Sequence, residues 1–300
     1  MSTTAATTIA TTIPRKISKH FLAHIQPEGA GAQVRRSIGT PSAKNVTPFL
    51  MLDHLVSTGG GFPDHPHRGQ ETITYVLKGN VDHEDFTGSK GTIGPGDLQF
   101  MTAGRGIVHA EMPRKDDQGR DPEIMQLWVD LPKHLKDCEP RYRDLMAKEV
   151  PIANPSDKVE IKVISGESHG VKSVQDLAYT PVAFYDYNVK AGTKAVQPVP
   201  EDFNVFLYIL NGSVKINGEK IPEHHTVIFE DKGDCINIEA EESARFILVG
   251  GKRLDQPVVQ FGPFVETSQQ RIMAAFMDYQ TGKNGFERSV GWSSEIGRRA

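Results

Sequence analysis

The sequence predicts an all-β protein, a sandwich or barrel of short strands in each of two similar halves, with one helix near the C-terminus. Three observations predict it. Glycine and proline are abundant, 28 and 19 of the 300 residues, and they cluster at short intervals, as turns between short strands do. Between the clusters lie β-branched and aromatic runs instead of long helical periods. The two halves also echo one another, with Leu77-Lys-Gly79 paralleling Leu210-Asn-Gly212 and Pro95-Gly-Asp97 paralleling Lys232-Gly-Asp234. That is a weak internal duplication, worth seeking before any fold is assigned.

Residues 1–18 read as a disordered leader. Residues 1–27 hold no Asp or Glu, and 1–12 are Met, Ser, Thr, Ala and Ile, too poor in core-forming side chains to fold alone. The composition also resembles a transit peptide, yet Arg15 is the segment's sole arginine and no amphipathic face forms. The leader reading is the stronger, with organelle targeting kept as the alternative.

Residues 19–145 read as the first unit. Its turns fall at Glu28-Gly-Ala-Gly31, Gly59-Gly-Gly61, Lys78-Gly-Asn80, Gly88-Ser-Lys-Gly91 and Gly94-Pro-Gly-Asp97, with strand-like runs at 72–77 and 124–131. A polar, proline-containing stretch, 139–157, reads as the linker region. Residues 146–300 read as the second unit, with the helix. Strands are expected at 182–189, 205–210, 214–216, 226–229, 236–238 and 245–249, with Asn211-Gly212 and Asn217-Gly218 as hairpin turns. The helix is capped by Thr267 or Ser268 and ended by Gly282; Ile272, Phe276 and Tyr279 recur at i, i+4 and i+7 as one apolar face. It is expected to pack outside a sheet and to carry no chemistry.

Composition narrows the function classes. Lys+Arg is 34 against 38 for Asp+Glu, a net charge of −4, which offers no global electrostatic reason to bind nucleic acid or an anionic membrane. Two cysteines, Cys138 and Cys235, are too few for a disulfide scaffold or a four-cysteine zinc site and suit a reducing compartment. No apolar run approaches the roughly 20 residues that span a bilayer.

The chemistry concentrates in Asp64-His65-Pro66-His67-Arg68-Gly69-Gln70-Glu71 and in His109-Ala110-Glu111. Strand side chains alternate faces, so His65 and His67 point one way together, as do His109 and Glu111. If both strands face one barrel interior, three imidazoles and a carboxylate converge, a donor set for first-row divalent metals. A single His-x-His pair in a β protein is more often surface or core than ligand. Two pairs gain weight only from a fold that brings them together. Spacing alone also leaves Glu71 open as the carboxylate.

The surrounding residues resemble a known family. Gly59 followed by His65-x-His67 and Glu71 looks like the first cupin motif, and Pro95-Gly96-Asp97 followed by His109 looks like the second. Longer segments resemble the pirins: Gly61-Phe-Pro-Asp-His-Pro-His-Arg-Gly69, His83-Glu-Asp-Phe86, Met101-Thr-Ala-Gly-Arg-Gly-Ile-Val-His-Ala-Glu-Met-Pro113 and Asn284-Gly-Phe-Glu287. The likeness runs from about residue 20 to 292. Pirins are bicupins with one iron in the N-terminal barrel. The resemblance therefore implies two cupin (jelly-roll-like) barrels and one Fe2+ per chain held by His65, His67, His109 and Glu111. It favours Glu111 over Glu71, which becomes a supporting or core acid. In the second half, Gln197-Pro-Val-Pro200 stands where a second metal pair would lie, and adjacent His224-His225 point to opposite faces. That barrel is expected to be metal-free.

Other polar residues carry weaker expectations. His83, Glu84 and Asp85 read as a solvated patch, His54 as a surface or hydrogen-bonded histidine, and Arg35, Arg36 and Arg68 as solvated cations. Gln126 and Trp128 share a strand face and would border a cavity if that face is the inner one.

The resemblance implies a quercetin-type flavonol 2,3-dioxygenase that cleaves its substrate with dioxygen to a depside and carbon monoxide, with Glu111 as the catalytic proton acceptor. The alternative it implies is a non-catalytic, iron-dependent redox sensor that acts as a transcription co-regulator through transcription factors or other regulatory proteins. Neither reading calls for direct nucleic-acid or membrane contact. Cytoplasmic and nuclear location rests on the family resemblance alone.

Overall fold

The structure, a computed structural model, describes residues 12–56 and 59–299. The first half runs through β1 (Ile17–Leu22), β2 (Ile25–Glu28), β3 (Ala32–Ile38), β4 (Phe49–Leu55), β5 (Phe62–His67), β6 (Gln70–Lys78), β7 (Asn80–Asp85), β8 (Lys90–Ile93), β9 (Leu98–Thr102), β10 (Ile107–Arg114), β11 (Glu123–Asp130) and β12 (Arg141–Leu145). Strands β12-β9-β6-β11-β4-β3-β2 make a seven-stranded sheet that faces the four-stranded sheet β5-β10-β7-β8. The second half repeats the plan. A seven-stranded sheet is centred on Phe203–Asn211, Ala244–Lys252 and Val182–Val189, and a four-stranded sheet on Thr193–Pro198 and Cys235–Ala240. The expected all-β, two-barrel architecture is present.

Both faces of the first seven-stranded sheet are buried, which is why β4 and β6 lack the polar alternation of a solvated sheet. Ile73 and Tyr75 of β6, with Leu127 and Val129 of β11, join Phe184, Phe206, Tyr208 and Val249 of the second half in one apolar cluster. The two large sheets thus stack on each other. Tyr75 crosses the junction to donate to Asp186 at 2.7 Å. Residues of the opposite parity, Thr74, Gln126 and Trp128, line the interior of the first barrel.

The ends of the chain are exchanged between the barrels. Strand β1 pairs antiparallel with His225–Phe229 and so extends the second barrel's sheet. Strand β1 begins inside the expected leader of residues 1–18, whose first eleven residues lie outside the described ones. Arg15, 1 % exposed, donates to the carbonyl oxygens of Gly233, Phe203 and Pro200 at 3.0, 2.8 and 2.8 Å. A buried guanidinium satisfied in this way pins the segment.

Helix α1 (Gln269–Thr281) forms as expected. The Ser268 hydroxyl accepts from the amide of Arg271, and Gly282 ends the helix with φ 63°. It packs on the first barrel, where Ile272 and Ala275 join Phe86, Met101, Ile107 and Phe286. No helix among the described residues is long and apolar enough to cross a membrane. Neither chain end stays with the barrel its sequence position suggests.

Candidate metal centre

Strands β5 and β10 are antiparallel neighbours, and their register places His109 opposite His65 and Ile107 opposite His67. The alternation read from sequence turns all three imidazoles inward, and the pairing brings them together. One ring nitrogen from each lies within 4.8 Å of the other two. Among the described residues this is the one group of three or more His, Cys, Asp or Glu side chains so close. The sharp turn from β5 into β6 depends on Gly69. Its φ is 74°, and a Cβ there would stand 2.0 Å from the Val265 carbonyl oxygen.

The outer nitrogens of all three imidazoles have neighbours. Nδ1 of His65 is 2.8 Å from the Pro63 carbonyl oxygen. Nδ1 of His67 lies 2.8 Å from the Gln70 amide, and Nδ1 of His109 lies 3.5 Å from the Tyr142 hydroxyl. Nε2 of His67 and Nε2 of His109 are buried with no hydrogen-bond partner. Orphaned buried nitrogens are costly, and a divalent cation between them satisfies both. Burial first, then the neighbouring imidazoles, holds His67 and His109 well below the ordinary histidine range. Both are therefore neutral, the form that ligates metal. The residues fit a metal ion.

Glu111 stands on the same strand face but outside that trio. Its Oε1 accepts from the Thr74 hydroxyl at 2.9 Å, and its Oε2 takes only a 3.4 Å contact from Gln126. It borders the same cavity as His65 and His67. Glu71 lies elsewhere. Its carboxylate accepts from the Thr102 hydroxyl and from the amides of Tyr179 and Thr180 at 2.7 to 3.1 Å, so it ties down the segment that enters the second barrel.

The cavity has a volume of about 580 Å³. Apolar side chains including Met51, Leu55, Phe62 and Ile124 line it, together with Thr74, Gln126 and Trp128. Trp128 packs edge-on to His67, ring centroids 5.0 Å apart. Arg36 and Asp53 also border it, paired at 2.8 and 2.7 Å. Burial pushes the Asp53 carboxyl up to about 6 against the pull of Arg36.

Several weaker expectations change. His83 and Asp85 are buried, not a solvated patch. They lie opposite Glu111 and His109 on β7, so the same parity that picked out His65 with His67 and His109 with Glu111 could have found them. Nor are the arginines merely solvated. Arg68 is buried, pairs with Asp278 of α1 at 2.8 Å and lies 4.9 Å from the Phe286 ring centre. His54 bridges the barrels, its Nδ1 3.0 Å from the Tyr208 hydroxyl and its Nε2 3.0 Å from Glu123. Gln70, Thr74 and Tyr142 were not singled out in the sequence. The regular parity of β6 could have found the first two. Nothing local marks Tyr142.

Comparison with known proteins agrees with this architecture. Residues 31–129 match the Pirin family model, and residues 184–285 match the model of the Pirin C-terminal cupin domain. The chain is 46 % identical over 288 residues to a pirin-like protein of Solanum lycopersicum, covering 94 % of this chain and 97 % of that one. It is 44 % identical over 292 residues to Pirin of Homo sapiens, covering 94 % and 98 %. Among solved structures, a quercetin 2,3-dioxygenase from Acinetobacter baumannii superposes with a TM-score of 0.84 at 30 % identity, over 91 % of this chain and 99 % of that one.

Proposed function

The chain belongs to the pirin family, and from that premise we propose that it is a mononuclear iron protein that cleaves quercetin-type flavonols with dioxygen to a depside and carbon monoxide. The observation that carries this reading is the pair of orphaned, buried Nε2 atoms of His67 and His109 beside a cavity of about 580 Å³. In this reading His65, His67 and His109 hold one Fe2+ in the N-terminal barrel, with Glu111 as the carboxylate ligand. The likeness to a solved quercetin 2,3-dioxygenase supports the substrate class.

An iron ion bound there supplies Lewis acidity toward a flavonol hydroxyl and a redox partner for dioxygen. The chain's own groups do the rest. Thr74 donates to Oε1 of Glu111 and orients the carboxylate. Oε2, with only the distant Gln126 contact, is the oxygen free to take the proton of the flavonol 3-hydroxyl. The apolar wall of Met51, Leu55, Phe62 and Ile124 receives the aromatic body and excludes water.

Metal analysis after anaerobic purification is the first test, and one iron per chain is expected. Iron-loaded protein in air should then bleach flavonol absorbance and release carbon monoxide, and chelation should stop both. Flavonol turnover by metal-free protein overturns the reading. Absence of turnover, with partner binding that differs between ferrous and ferric forms, would favour the non-catalytic co-regulator instead.

A further inference from the structure

The three imidazoles differ in what stands behind them. His65 leans on the carbonyl of Pro63, two residues away, and His67 on Gln70, three residues away. Behind His109 stands Tyr142 of β12, a strand of the opposite sheet whose position lies outside residues 31–129. The same hydroxyl faces Asp85 of β7, which pairs directly with His109 across the ladder. One oxygen of Asp85, Oδ1, accepts from the Thr87 amide, the Thr87 hydroxyl and the Ser89 amide. The other, Oδ2, is buried without a partner. Nε2 of His109 and Oδ2 of Asp85 are thus two unsatisfied buried atoms on the residues that flank the Tyr142 hydroxyl.

We propose that Tyr142 and Asp85 are positioning residues for the metal centre: they set the tautomer and orientation of His109 as a ligand. The inference rests on the reading of the triad as a metal site. When Nε2 of His109 ligates a cation, its proton sits on Nδ1 and needs an acceptor. The Tyr142 oxygen is that acceptor. Its own hydroxyl proton is then free to turn toward Asp85, whose Oδ2 has no other partner. Donation then runs one way, from imidazole to phenol to carboxylate. That direction fixes the tautomer that leaves the Nε2 lone pair free for a metal. Outer partners of this kind orient a ligand and raise its basicity.

The test uses Co(II) as the probe on chelator-stripped full-length protein. Affinity is read by competition with a chromogenic chelator and ligand field by the visible d–d bands. Tyr142→Phe keeps the ring and removes only the oxygen. It should weaken Co(II) binding about 10- to 100-fold and shift the d–d bands, while the metal-free melting temperature stays at the wild-type value. Asp85→Asn should give a similar loss, and the double variant no more than the larger single loss, because both act through one chain. Wild-type affinity with an unshifted spectrum in Tyr142→Phe overturns the proposal, as do losses that add in the double variant. Should Asp85→Asn fail to fold through its loop bonds, Tyr142→Phe decides alone. His109→Ala separates the two readings. If the wild type itself binds no Co(II), the metal centre fails; if binding is lost in His109→Ala yet intact in Tyr142→Phe, only the positioning role fails.

Discussion

The two barrels share a plan and differ in what fills them. In the first, Thr74, Gln126 and Trp128 turn toward a cavity. In the second, the central strands turn Leu207, Ile209, Phe246 and Leu248 into a closed apolar cluster, where Tyr187 stacks on Phe246 with ring centroids 4.8 Å apart. Gln197, on the strand where a second metal pair would lie, is fully engaged. Its carbonyl oxygen accepts from Ser168 and Tyr187, and its amide donates to the Pro198 carbonyl. An interior can serve stability or a site. Polar groups around a void forgo apolar burial and must find partners. The first barrel offsets that loss on its outer surfaces, through the core shared by the two large sheets and the cover of α1.

The contrast breaks most sharply at the metal. His109→Ala should lose bound metal by more than the roughly 100-fold that marks removal of an outer partner, and flavonol turnover with it. Full metal content after dialysis would sink the site. Next in size is the packing contrast. Leu207→Ala should cost about 2–5 kcal/mol in urea denaturation and leave metal content untouched. Gln126→Ala, at a cavity wall, should cost under about 1 kcal/mol. Equal costs would mean that the first barrel is as tightly filled as the second.

A milder probe tries to make the barrels alike. Gln197→His should add no second equivalent of metal. It should cost about 1–3 kcal/mol by leaving Ser168 and Tyr187 without their acceptor. Two metals per chain in that variant would refute the contrast.

The smallest expected effect concerns the junction. The Glu123 carboxyl is pushed down from 4.5 to about 2, chiefly by the hydrogen bond from His54, with Lys78 adding. The folded state favours its ionised form, so its contribution is fully present above pH 4.5 and fades as pH falls toward 2. Glu123→Gln should therefore be less stable than wild type at pH 6 and approach it in acid. Denaturation at both pH values checks this, and an equal deficit at each would contradict it.

Much of the architecture was legible in the chain because turn chemistry and alternation are local. Gly69, Gly79 and Asn211-Gly212 mark ends of strands, and Ser268 and Gly282 mark the ends of α1. The histidine pairs were legible for the same reason: two-residue spacing puts side chains on one face wherever the strand goes. What stayed hidden depends on contacts between distant segments. Arg15 reads as a basic leader residue until the carbonyls of residues 200, 203 and 233 surround it. Arg68 reads as a surface cation until Asp278 and Phe286 close over it.

By itself the sequence determined the all-β class and the same-face pairs His65 with His67 and His109 with Glu111. Those features follow from strand parity and turn preference, which need no distant partner. Tertiary structure alone decided the rest. It aligned β5 with β10 so that three imidazoles meet, sent Glu71 to the amides of Tyr179 and Thr180 while leaving Glu111 in the cavity, and set Tyr142 behind His109. It also exchanged the chain ends between barrels. These outcomes depend on register and sheet packing, where residues far apart in sequence become neighbours only once the buried faces have found each other.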